Sequence, residues 1–150
     1  MKGELRPMAE ILLKFAMHLK EKIMKKLINL CFAFILATTA VAQQKETVSA
    51  EEFSKRINDK NITILDVRRP EEFKSGHIKN SMNANWQNLE EFKSRTAKLD
   101  KSKPVYVYCL AGVRSEKAAD FLLKNGFKKV VGLDGGIEAW NDAGKSVEKP

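Results

Sequence analysis

The run Val105-Tyr106-Val107-Tyr108 is β-branched and aromatic, and it stops at a cysteine. By Ser115 the chain has become a good helix former, and it stays so through Asn125. A strand, a tight loop and a helix N-terminus point several backbone N–H groups at one spot. A sulfur held there, that of Cys109, feels a positive partial charge that favours thiolate over thiol. Gly112 lets the loop turn without a Cβ clash, and Arg114 sets a fixed positive charge at its far lip. An isolated cysteine is more often a small buried hydrophobe. The strand end, the glycine and the arginine together favour a nucleophile at Cys109, with Leu110, Ala111, Gly112, Val113 and Arg114 as the loop that meets its substrate.

The rest of the chain alternates strand and helix signals. Ser49-Ala50-Glu51-Glu52 has the pattern of a capping box and predicts a helix through Ile57, with Phe53 and Ile57 on its buried face. Ile62 to Val67 reads as a buried strand, and Pro70 opens a short helix over Glu71 to Lys74. Met82-Asn83-Ala84 is a short strand candidate and Leu89 to Ala97 a helix with a polar face. After the Ser115–Asn125 helix, closed by Gly126, come a strand over Lys129 to Leu133, a turn at Asp134-Gly135-Gly136 and a helix over Ile137 to Asn141. Alternating strands and helices argue for an α/β domain, a parallel sheet covered on both faces. Ligands collect at the carboxyl ends of such strands, where Asp66, Cys109 and the Asp134 turn fall.

The N-terminal 42 residues stand apart. Met24-Lys25-Lys26, an apolar run from Leu27 to Leu36, and small residues at Ala40 and Ala42 follow the order of a secretory signal peptide. Cleavage near Ala42-Gln43 and export, most simply to a periplasm, are expected, with a retained membrane anchor as the alternative. Residues 1–23 have two accounts: translation starting at Met24, or a basic amphipathic helix carrying Ile11, Leu12, Phe15, Leu19 and Ile23. Residues 43–46 are expected to be a short flexible leader, and residues 47–148 the domain itself.

Residues 1–42 hold seven Lys/Arg and three Asp/Glu, half of the chain's net charge of +8. The remaining charges are interspersed, without the basic runs and interleaved aromatics of a nucleic-acid surface. Beyond residue 42 the chain has one cysteine, Cys109, and one histidine, His77. That leaves no internal disulfide, no CxxC redox pair and no zinc-ligand cluster, and it calls for no cofactor.

Four stretches then carry a resemblance. Asp66-Val67-Arg68-Arg69-Pro70-Glu71-Glu72-Phe73, Gly76-His77-Ile78, Cys109-Leu110-Ala111-Gly112-Val113-Arg114-Ser115 and Leu133-Asp134-Gly135-Gly136-Ile137-Glu138-Ala139-Trp140 occur in the order found in single-domain rhodanese-like sulfurtransferases. The chain resembles that family over nearly all of residues 47–142. The resemblance implies a five-stranded parallel sheet and a cysteine that takes sulfane sulfur from thiosulfate or a similar donor. The resulting Cys109 persulfide passes the sulfur to cyanide, a thiol or a protein acceptor; an exported carrier or thiol-sensing module with little free turnover is the alternative. Phosphatases related by fold have five residues between cysteine and arginine, whereas residues 110–113 number four here, which favours a sulfur over a phosphoryl group. Many thiosulfate-using members have a basic residue after the cysteine; this chain has Leu110.

Asp66, Arg68, Glu71 and Ser115 are expected to support the loop. Arg114 is expected to pair with a carboxylate such as Glu71 or Glu72 while lending field to an incoming anion. His77 and Tyr108 are expected to be structural, Phe73 and Trp140 core or pocket-wall residues, and Gly135 and Gly136 to serve backbone geometry. A monomer is expected.

Overall fold

The computed structural model describes residues 5–37 and 42–149, with side chains over residues 8–29 of the first stretch. The chain divides into two units, residues 1–41 and 42–150. The first holds α1 (Leu5–Ala37), which includes the helically spaced Ile11, Leu12, Phe15, Leu19 and Ile23. Residues 38–41 of the expected cleavage region and the side chain of Cys31 lie outside what is described. Among the described residues, no helix is long and apolar enough to cross a membrane.

The second unit runs β1 (Gln44–Val48), α2 (Ala50–Arg56), β2 (Thr63–Asp66), α3 (Pro70–Ser75), β3 (Met82–Asn83), α4 (Leu89–Thr96), β4 (Val105–Tyr108), α5 (Val113–Lys124), β5 (Lys129–Leu133) and α6 (Gly136–Asp142). The five strands form one parallel sheet in the order β1-β5-β4-β2-β3, which puts β4 at its centre.

Of residues 43–46, expected to be a flexible leader, Gln44 to Glu46 instead belong to an edge strand. Gln44 to Val48 pair in parallel with Lys129 to Leu133. The sequence Gln-Lys-Glu-Thr-Val lacks an apolar run because most of this edge strand faces water; only its last residue, Val48, is buried.

Period-two alternation sorts the core into two layers. Val105, Val107 and Cys109 pack with Leu65, Val67 and Val130 beneath α5 residues Ala118, Ala119 and Leu122, together with Phe92 of α4. Tyr106 and Tyr108 point the other way, towards Phe53 of α2 and Ile137 and Trp140 of α6. The strand's own alternation therefore turns Cys109 towards the face covered by α5.

Two predicted caps settle differently in detail. Ser49 does accept from the Glu52 N–H at 3.4 Å, but the Glu52 carboxylate takes the Arg56 Nε at 2.8 Å. Helix α5 begins at Val113 rather than Ser115, with Gly112 as its N-cap, so loop and helix are one continuous turn.

Candidate active site around Cys109

Cys109 follows the last residue of the central strand and is buried. The Gly112 N–H donates to its Sγ at 3.1 Å, and the Ser115 hydroxyl lies 3.5 Å from the same atom. Burial pushes the thiol up. The Ser115 hydroxyl and the backbone N–H groups of Ser115, Gly112 and Arg114 outweigh it, so the net pKa falls below that of an ordinary thiol. The donors come from the first turn of α5, where backbone N–H groups have no helical partner. Gly112 makes this geometry possible with φ 103°, in the region that side chains resist.

Arg114 is held from the side. Its Nη1 donates to Glu72 Oε2 at 2.9 Å and its Nη2 to Glu72 Oε1 at 2.8 Å, a bidentate fork. Glu72 also accepts from the Arg69 backbone N–H and Nε, both at 3.0 Å, so one carboxylate caps α3 and clamps the loop. The Arg114 fork is the main reason its pKa falls to about 2. Glu71, expected among the supports, is not the partner; it is exposed and lies 3.1 Å from Arg69 Nε. The capping position of α3 decides between the two neighbours, since only the third helical residue can reach back to the Arg69 N–H.

The second turn at the sheet's carboxyl end braces the loop from behind. The Ile137 N–H donates to the Cys109 carbonyl at 2.9 Å and the Glu138 N–H to the Leu110 carbonyl at 3.1 Å. The first-turn amides of α6 are thus spent on the loop's own carbonyls. Sequence reasoning gave Gly136 a backbone role but missed this contact, whose one signal was a Gly-Gly pair opening a helix after a strand.

Asp66 and Arg68 form a buried pair one layer away. Arg68 Nε lies 3.0 Å from Asp66 Oδ1, and Nη2 lies 2.6 Å from Oδ2 and 2.7 Å from the Gly76 carbonyl. The guanidinium sits 5.7 Å from the Tyr108 ring centroid. The pair fixes the end of β2 and the chain after α3, and reaches the cysteine strand through the Val67 N–H on the Tyr108 carbonyl at 3.0 Å. The Tyr108 hydroxyl accepts from the Ile78 N–H at 3.0 Å and shares a hydrogen bond with Ser81. His77 stacks on Phe73 at 3.8 Å with its Nδ1 3.1 Å from the Phe73 carbonyl, well tied into the chain after α3. Phe73 is half-buried beneath it, and Trp140 lies in the core. The exposed side chains on the loop are apolar: Leu110 is 40% and Val113 65% exposed.

Comparison with known proteins agrees with this arrangement. Residues 49–143 match the rhodanese-like domain. A tRNA uridine(34) hydroxylase of Pelagibacter ubique is 39% identical over 102 residues, covering 68% of this chain but 34% of that protein. The thiosulfate sulfurtransferase GlpE of Coxiella burnetii is 38% identical over 84 residues, 56% of this chain and 76% of GlpE. The crystal structure of a rhodanese-related protein from Thermoplasma volcanium superposes with a TM-score of 0.60 at 33% identity, covering 69% of this chain and 97% of that one. With its central-strand cysteine, its four-residue loop and its parallel sheet, the chain belongs to the rhodanese-like family.

Proposed function

We propose that the protein is a sulfurtransferase in which Cys109 carries sulfane sulfur as a persulfide. The observation that carries this reading is the Cys109 Sγ set among donors, with the Gly112 N–H at 3.1 Å and the α5 N-terminus before it. In the first half-reaction the thiolate attacks the outer sulfur of a donor such as thiosulfate. The new S–S bond forms as the donor's own S–S bond breaks, and sulfite leaves with the bonding pair. In the second, a thiolate or cyanide attacks the outer persulfide sulfur, forming a new S–S or C–S bond, and Cys109 departs as thiolate. No proton moves in either step when both nucleophiles are ionised, which fits a loop that offers hydrogen-bond donors and no general base. The GlpE likeness, spanning 76% of that protein, supports this more directly than the hydroxylase likeness, which spans a third.

A carrier that hands sulfur to a protein, with little free turnover, is the second reading, favoured by the exposed Leu110 beside the cysteine. Steady-state kinetics with thiosulfate and cyanide separate them. Ping-pong turnover is expected of the enzyme, and a stable persulfide without turnover of the carrier. We also propose export, supported by the basic, apolar and small-residue order of residues 24–42.

A further inference from the structure

The arginines beside the loop are paired with carboxylates. Both terminal nitrogens of Arg114 are committed to Glu72, and Arg69 Nε lies between Glu71 and Glu72 at 3.1 and 3.0 Å. Lys45, which lines the cavity beside Gly112 and Ser115, is paired with Asp120 at 2.6 Å and Glu116 at 3.7 Å. The Gly112 N–H donates to the sulfur itself at 3.1 Å, and the Ser115 hydroxyl lies 3.5 Å from it. A dianion approaching a thiolate needs uncommitted positive charge, and here Arg69 and Arg114 both pair with Glu72, and Arg69 with Glu71 as well. The exposed loop side chains on either side of Ala111 and Gly112 are Leu110 and Val113.

We propose that, given the sulfur-transfer reading above, the site prefers a sulfane donor with an apolar body and at most one negative charge over the small dianion thiosulfate. An alkyl or aryl hydropersulfide is such a donor. The Cys109 thiolate attacks its terminal sulfur, a Cys–S–S–H group forms with the proton retained, and the donor's thiolate leaves with the electron pair of the broken S–S bond. Leu110 is the residue that sets this preference, through apolar contact and through the cation it does not supply.

Three stable donors separate charge from apolar contact: thiosulfate, methanethiosulfonate and benzenethiosulfonate. The last two carry one charge each and differ in the apolar group; each gives up its outer sulfur and leaves as the sulfinate. Persulfide formation is followed by kcat/KM, with methanethiosulfonate as the reference that cancels intrinsic donor reactivity between variants. Leu110→Ala is expected to lower the benzene-to-methane ratio about fivefold, the worth of a half-buried apolar contact, and to leave the thiosulfate-to-methane ratio alone. Leu110→Lys is expected to raise the thiosulfate-to-methane ratio about fivefold. Both substitutions fall on an exposed side chain, so the fold is retained. A benzene-to-methane ratio unmoved by Leu110→Ala, or a thiosulfate ratio unmoved by Leu110→Lys, overturns the donor preference and leaves sulfur transfer standing. Wild-type protein that forms no persulfide with any of the three overturns both.

Discussion

Gly136 lies directly against the carbonyl of Leu110: a Cβ at position 136 would collide with that carbonyl and fall 2.6 Å from the carbonyl oxygen of Cys109. With φ 61°, it also holds a backbone conformation that side chains resist. The turn after β5 and the loop after β4 are therefore one structure.

Gly136→Ala is expected to lower stability by roughly 2–4 kcal/mol, the sum of a left-handed backbone cost and an overpacked contact with no flexible side chain to yield. Denaturant unfolding reads the loss. The activity of the folded fraction should fall too, because the shifted element is the loop that carries the sulfur. An alanine variant with native stability and turnover would show that the two turns are not mechanically joined.

The Arg114–Glu72 fork sets a second expectation. Lysine cannot make two parallel bonds to one carboxylate, so Arg114→Lys should cost roughly 1–3 kcal/mol and reduce turnover. The fork also links folding to pH. The folded Glu72 pKa, near 2, lies below its ordinary 4.5. Its stabilising contribution is thus fully present above about pH 4.5 and is lost as pH falls through about 2. Glu72→Gln should flatten that acid limb of the stability profile, while Glu71→Gln, at an exposed carboxylate beside Arg69, should leave it in place.

The thiol makes a third. Alkylation rate against pH should give a midpoint for Cys109 below the ~8.5 of a free thiol. Ser115→Ala should raise that midpoint, since the Ser115 hydroxyl is the strongest of the groups that lower it. A wild-type midpoint at or above the free value would remove the case for an activated nucleophile.

Asp66 and Arg68 give a prediction about stability alone. Asp66→Ala leaves the Arg68 guanidinium buried with no carboxylate, an imbalance worth roughly 3–5 kcal/mol. Thermal unfolding measures it, and a variant as stable as the parent would mean that the Gly76 carbonyl suffices as partner.

Elements whose residues satisfy one requirement were legible in sequence. Val105 to Tyr108 is buried on both faces and reads as an unbroken apolar run, so its end at Cys109 could be placed to the residue. Gln44 to Val48 meets the opposite condition: an edge strand with one buried side chain carries no such run, and its pairing with Lys129 to Leu133 is a backbone matter. Two neighbouring glutamates could both be imagined as the partner of Arg114. Which one faces it follows from the cap of α3, a detail of one helical turn that composition does not carry. The bracing of Leu110 by α6 joins residues far apart in the chain through backbone atoms, to which residue type is nearly silent.

Intact mass after incubation with a sulfane donor tests the account most directly. The wild-type chain and a Cys31→Ser variant are expected to gain one sulfur, about 32 Da, and to lose it again on adding cyanide. Cys109→Ser is expected to gain nothing while keeping its fold. A wild-type mass unchanged by every donor, or a persulfide that persists in Cys109→Ser, would contradict sulfur transfer through Cys109.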